Sequence, residues 1–209
     1  MISRRFFTAF LITLPLAACQ TSQDRNPPIP VEQQSDNWYI GVIPDRPFDI
    51  PAVNWRHIAP EFHRQTVSFD GRERPGTIVI DTRARHLYYI QSPGVAIRYG
   101  IGVGKEGFAF RGAARVGRKA VWPDWSPTVN MVRINPSLPR HLPGGLDNPL
   151  GARALYLYQG NRDTLFRIHG TNEPWSIGEA VSSGCIRMMN EDVLDLYGRA
   201  NVNTPVVVR

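Results

Sequence analysis

The chain of 209 residues has only two cysteines, Cys19 and Cys185. So few thiols exclude a disulfide framework within a folded domain and a zinc site built from paired Cys-x-x-Cys. His57, His63, His86 and His141 are scattered without metal-ligand spacing, and no His-Glu-x-x-His occurs, so no metal is expected. Lysine is nearly missing: of the 24 basic residues only Lys105 and Lys119 are lysines. No dense Lys/Arg run and no RNA-binding aromatic signature is present, so nucleic acid is not an expected partner. Gly100-Ile101-Gly102-Val103-Gly104 is not followed by a helix-like segment, which removes support for a nucleotide-binding loop and leaves no cofactor to expect. The leading apolar stretch, Phe6 to Leu16, is shorter than the roughly 20 residues of a membrane-spanning helix. No internal repeat is found.

What is present describes an ordinary soluble domain with a tail. Hydrophobic residues make up 42% and charged residues 20%, as in globular proteins. The net charge of +6 favours anionic surroundings, such as acidic phospholipid or an acidic wall polymer.

Residues 1–18 read as a signal peptide, with Arg4 and Arg5, a short apolar stretch, then small residues. Ser3-Arg4-Arg5-Phe6-Phe7 matches a twin-arginine signal loosely, and a Sec signal equally well. Leu16-Ala17-Ala18-Cys19 resembles the lipobox of bacterial lipoproteins. That resemblance implies lipid on Cys19 and a membrane-anchored protein facing the periplasm or cell wall. More than one acyl chain is needed for stable anchoring. Residues 19–36, with Pro27, Pro28 and Pro30, are expected to be an extended tether. Cys185 is then a lone thiol in an oxidising compartment, the setting in which a reactive role is to be considered.

Residues 37–75 hold Trp38, Tyr39, Trp55 and Phe62, which could pack, but prolines interrupt every run, so an irregular prelude is expected. From Gly76 the pattern changes. Thr77 to Asp81, Leu87 to Ile90, Val95 to Val103, Ala154 to Tyr158, Thr164 to His169 and Pro205 to Val208 read as strands. The fold class is therefore mainly β, sandwich- or barrel-like, over residues 76–209. One helix is expected after Cys185, capped by Asn190, with Glu191 and Asp192 in its first turn, Val193, Leu194, Leu196 and Tyr197 on its apolar face, and Gly198 as its stop.

The chemistry lies in Ile168-His169-Gly170-Thr171, then fifteen residues, then Ser182-Ser183-Gly184-Cys185-Ile186-Arg187. A thiol attacks as thiolate and so needs a base or a positive field, which His169 can supply. Gly184 removes bulk before the nucleophile, and backbone N–H groups at Gly184 and Cys185 can face a developing oxyanion. These motifs, with Asp147 to Leu155 and Pro75 to Asp81, resemble the catalytic domain of L,D-transpeptidases, the YkuD-like family. Their order and spacing carry the resemblance across residues 75–209.

The resemblance implies that Cys185 is the nucleophile and His169 the proton donor and acceptor. It implies further that the Gly170 carbonyl holds the second imidazole nitrogen, with Ser183 and Gly184 supporting. Many members carry His where Ser183 stands, so any contact made by that imidazole must come here from the Ser183 hydroxyl or from backbone. Arg187 is a candidate for gripping a stem-peptide carboxylate or for a structural ion pair. Trp122 and Trp125 are candidates for a groove floor or for core packing. The implied reaction joins Cys185 to a peptidoglycan stem peptide as a thioester, releases D-alanine and passes the acyl group to an amine, without ATP or metal. The alternatives are hydrolysis of the same bond, as an L,D-carboxypeptidase or peptidase, and a non-catalytic wall-binding lipoprotein.

Overall fold

The structure, a computed structural model, describes residues 37–104, 111–182 and 184–209. The expected signal, the lipobox-like run with Cys19, the expected tether and Ser183 lie outside the described residues.

Ile78–Asp81 forms strand β4, and its first three residues are fully buried, as expected of a run apolar on both faces. A turn with Arg85 at φ 57° returns the chain as β5, His86–Ser92. A second turn at Gly94, φ 78°, leads into β6, Val95–Gly100. β3, Gln65–Ser68, pairs with β6 as one edge. On the other side β4 takes β13, Pro205–Val208, in parallel. Beyond β13 follow β8, Gly112–Val121, β9, Arg153–Gln159, and β10, Arg162–His169, each antiparallel to the last. β12, Ile186–Arg187, closes the far edge in parallel with β10. The nine strands form one mixed sheet, so the mainly β expectation holds.

The core holds Ile78, Ile80, Leu87, Tyr99, Leu155, Leu157 and Ile168. After the short helix α1, Val129–Ile134, helix α2, Asn190–Arg199, lays Val193 and Leu196 onto it. Two expectations for this helix need correction. Met189 occupies the cap position and Asn190 is the first helical residue, because its side chain is engaged elsewhere. Gly198 lies inside the helix, which ends at Arg199 with Ala200 as its C-cap. Lys119 Nζ donates to the carbonyls of Tyr197 (2.7 Å) and Ala200 (2.6 Å), placing a cation at the negative end of the helix.

The run expected from Val95 to Val103 divides into β6 and β7, Val103–Gly104, which pairs in parallel with β11, Ala180–Ser182. β8 has no counterpart in the sequence reading. Its small and charged residues hide its period, and Gly117 marks a bulge where a Cβ would collide with the Tyr158 ring. Residues 37–75 are more ordered than their prolines indicate. β1, Tyr39–Ile43, and β2, Ile50–Val53, form a hairpin that precedes β3. Trp38, Tyr39, Trp55 and Phe62 do pack, against Val53, Ile58, Ile177 and Met189. Asp45 grips Arg153 through both carboxylate oxygens, at 2.7 and 2.8 Å, and ties this segment to β9.

Candidate active site

β10 and β12 run in parallel with Ile168 beside Ile186 and His169 beside Arg187. Successive side chains alternate between faces. Ile168 and Ile186 point into the core, so His169 and Arg187 share the opposite face. Arg167, two residues before His169 in β10, lies on that same face, and Cys185 stands just before β12, two residues before Arg187. The fold thus pairs the segments that carry His169 and Cys185, which are separated by fifteen residues in the chain.

His169 is buried, and its Nδ1 lies 2.6 Å from the Gly170 carbonyl. A carbonyl only accepts, so Nδ1 carries the proton and Nε2 keeps its lone pair. Burial drives the imidazole pKa down to about 3, helped by the positive charges of Arg187 and Arg167 and opposed by the Gly170 hydrogen bond. The ring is therefore neutral at ordinary pH and able to accept a proton.

The segment carrying Cys185 is held on both sides by one strand. Before it, β11 pairs with β7; after it, Arg187 N and O exchange hydrogen bonds with Gly102 at 2.8 and 2.9 Å. The glycine-rich run at Gly102 to Gly104 thus seats the thiol segment, a role the sequence reading missed. Gly184 has φ 131°, a conformation that side chains disfavour, and it sets the backbone just before the thiol. Burial raises the Cys185 pKa, while Arg167 and Arg187 pull it down.

Arg187 is ion-paired: its Nη1 meets Glu173 Oε2 at 2.6 Å. Of the two candidate roles for Arg187, the structure displays the ion pair. Gly170 is pressed against Asn190, whose Oδ1 accepts from Ala152 N and Thr171 N and whose Nδ2 donates to Thr171 O. Trp122 is buried with Ile50 and Ala152 and donates from Nε1 to Asp45, so of its two candidate roles the structure displays core packing. Trp125 is partly buried and bridges to Leu142. Arg167 was missed from sequence, although strand alternation from His169 places it on the same face.

Residues 75–208 match the family model of the YkuD L,D-transpeptidase catalytic domain. A probable L,D-transpeptidase of Escherichia coli K12, YbiS, is 35% identical over 137 residues, covering 63% of this chain and 43% of its own length. A second from the same organism, ErfK/SrfK, is 36% identical over 141 residues, covering 65% of this chain and 44% of its own. The chain thus spans less than half the length of these relatives. A crystal structure from Brucella melitensis, described as a probable carnitine operon oxidoreductase, is 49% identical. It covers 75% of this chain and 99% of that one, with a TM-score of 0.51. The oxidoreductase description belongs to that protein. With its family match over the sheet that carries the thiol and the imidazole, this chain belongs to the L,D-transpeptidase catalytic domain family.

Proposed function

We propose that the protein is a peptidoglycan L,D-transpeptidase that works through a Cys185 thioester. What supports this is the parallel pairing of β10 with β12, which sets His169 beside Arg187, two residues after Cys185, with a His169 tautomer fixed by the Gly170 carbonyl.

The steps follow from those two groups. The Cys185 thiol gives its proton to Nε2 of His169, and the sulfur attacks the carbonyl that links the third, L-configured centre of a stem peptide to its terminal D-alanine. The oxygen gains charge beside the backbone N–H groups at Gly184 and Cys185, which stabilise it without a charged side chain. As the intermediate collapses, the carbon–nitrogen bond breaks and the imidazolium protonates the departing D-alanine amine. A thioester remains. An amine from a neighbouring stem then attacks it, His169 takes the excess proton, and the sulfur leaves and is reprotonated. The net change is the exchange of one amide for another, so no ATP is consumed. Water as acceptor gives the carboxypeptidase reaction by the same route.

We also propose that the protein is exported and held at a membrane through lipid on Cys19, facing the periplasm or cell wall. The support is the lipobox and the charge pattern before it. Detergent phase partitioning of the wild type against Cys19→Ser tests the anchor: the wild type should enter the detergent phase and the variant should not. If both stay aqueous, the anchor is refuted.

The reaction is tested by incubating the protein with a stem tetrapeptide, then measuring D-alanine release and intact mass. One covalent adduct is expected, lost in Cys185→Ala. An acceptor amine should divert the product from tripeptide to cross-linked dimer. Absence of both adduct and D-alanine release from well-folded protein would leave only wall binding.

A further inference from the structure

His169 is neutral in the resting protein and so holds no positive charge beside the sulfur. A thiolate needs a counter-charge from elsewhere. Among the described residues, the charged groups acting on Cys185 are Arg167 from β10 and Arg187 from β12. Arg187 is already matched by Glu173 at 2.6 Å. Arg167 has no carboxylate within ion-pair distance among the described residues.

The position of Arg167 is built in several ways. β9 and β8 place Tyr156 beside Arg167 and Arg118 beside Tyr156, so Arg118, Tyr156 and Arg167 form one row across the sheet, and the thiol of Cys185 reaches the Leu165 carbonyl two residues before Arg167. The Arg167 guanidinium lies 4.9 Å from the centre of the Tyr156 ring and that of Arg118 lies 3.5 Å from it. Both are within the range of cation–π attraction. Between Asp163 and Arg167 the β9–β10 register shifts, and Leu165 takes φ 64°. Such a conformation is rare for a leucine. The shift is tied locally: Leu165 N donates to Asp163 Oδ1 at 2.8 Å, and the Thr164 hydroxyl donates to Leu157 O at 2.7 Å. Its result is a Leu165 carbonyl that accepts from Arg167 Nη1 at 2.6 Å and stands 3.9 Å from Cys185 Sγ. One carbonyl oxygen therefore meets both the guanidinium and the thiol.

We propose that Arg167 is the cation that stabilises the Cys185 thiolate, seated for that task on Tyr156 and on the Leu165 carbonyl. The inference rests on Cys185 being the nucleophile. When the unliganded protein is titrated to alkaline pH the thiol proton passes to solvent and the charge left on sulfur is offset by the guanidinium; in the reaction the proton passes to His169. Division of labour follows: the arginine supplies charge and the imidazole moves protons.

The test is the pH dependence of Cys185 alkylation by iodoacetamide, read by intact mass, in the full chain carrying Cys19→Ser so that Cys185 is the sole thiol. It needs no stem peptide, so failure of this inference and failure of the transpeptidase reading are separable. Arg167→Gln should raise the alkylation midpoint by at least one pH unit, which slows alkylation about tenfold on the acid side of the midpoint. Arg167→Lys keeps the charge and should recover most of that shift. His169→Gln should leave the midpoint unmoved or lower, because a neutral ring offers no counter-charge. A folded Arg167→Gln protein with the wild-type midpoint would overturn the proposal. If Arg167→Gln does not fold, His169→Gln decides the matter: a midpoint raised there by a unit or more assigns the counter-charge to the imidazole and refutes the role of Arg167.

Discussion

Asn190 occupies the space that a side chain on Gly170 would need: a Cβ added to Gly170 would collide with Asn190 Oδ1. That oxygen accepts from Ala152 N at 3.0 Å and Thr171 N at 3.2 Å, so the start of α2 holds the turn that leaves His169. The same turn presents the Gly170 carbonyl to Nδ1. Imidazole orientation therefore depends on a contact one layer behind it. Gly170→Ala should destabilise the protein by about 1–3 kcal/mol through overpacking. Asn190→Ala should destabilise it by a similar amount, through N–H groups left without a partner. Both should slow Cys185 acylation. Denaturant unfolding and acylation rates measured together check this, and a Gly170→Ala protein with normal stability would show that Asn190 yields easily.

His169→Ala should slow acylation by a stem tetrapeptide at least ~100-fold while leaving the melting temperature near that of the wild type, the usual scale for loss of a general base. The pH profile adds a sharper statement. With its pKa at about 3, His169 is neutral from pH 5 upward and contributes no inflection near the ordinary histidine value. The acid limb of the rate should belong to Cys185, lie above the ordinary thiol range because burial raises that pKa, and survive in His169→Gln at a lower absolute rate. A limb near pH 6.5 that disappears in His169→Gln would show the imidazole to be charged in the working site.

The parts of this site that the sequence made legible are those whose chemistry requires one residue type. His169 and Cys185 are recognisable because few side chains can act as base and thiol nucleophile, and Gly184 because its backbone at φ 131° disfavours any other residue. Runs such as Ile78 to Asp81 and Pro205 to Val208 read as strands because their β-branched residues are buried in a sheet. β8 escaped because its outer positions carry arginines and its bulge at Gly117 breaks the alternation. Asn190 was misread because a cap and a cross-link between loops use the same amide, and only the tertiary neighbours distinguish them. Arg167 was hidden for a related reason. Its partners Tyr156 and Arg118 lie eleven and forty-nine positions earlier in the chain, and sheet order brings them together.

The Asp45–Arg153 pair fastens the N-terminal hairpin to β9, with both side chains mostly buried. Trp122 Nε1 donates to the same carboxylate at 3.0 Å. Hydrogen bonding to Arg153 holds the Asp45 carboxyl below its ordinary pKa, against the opposing effect of burial. Removing the carboxylate leaves a buried guanidinium without its counter-charge, and such losses cost about 3–5 kcal/mol. Asp45→Ala should therefore lower stability by that order in urea unfolding. Asp45→Asn should recover part of it, since its amide oxygen still accepts from Arg153. Stability within 1 kcal/mol of the wild type for Asp45→Ala, about the scale of an exposed pair, would show the pair to be solvated.

Asp192 presents the opposite electrostatic case. It is fully buried in the first turn of α2, and neither carboxylate oxygen has a hydrogen-bond partner among the described residues. Arg64 Nε approaches to 3.6 Å, and Glu191 and Asp195 add negative charge nearby. Burial raises its pKa to about 7, with Arg64 opposing and the two acidic neighbours assisting. In an unfolded chain an aspartate titrates near ~4. Between those values the folded protein keeps a proton that the unfolded chain gives up, so stability falls as pH rises. This contribution is fully present below about pH 4 and is lost as pH passes through about 7. His169 acts in the reverse sense, because its lowered pKa makes stability rise with pH until its unfolded value near ~6.5 is passed. Comparing Asp192→Asn with the wild type isolates the aspartate, since His169 is common to both. Melting temperatures taken from pH 5 to pH 8 should show that the wild type loses stability relative to the variant across the interval. A difference that stays constant with pH would mean that Arg64 keeps Asp192 ionised throughout. The carboxylate would then belong to a buried ion pair, and neutralising it would shift both ends of the pH range equally.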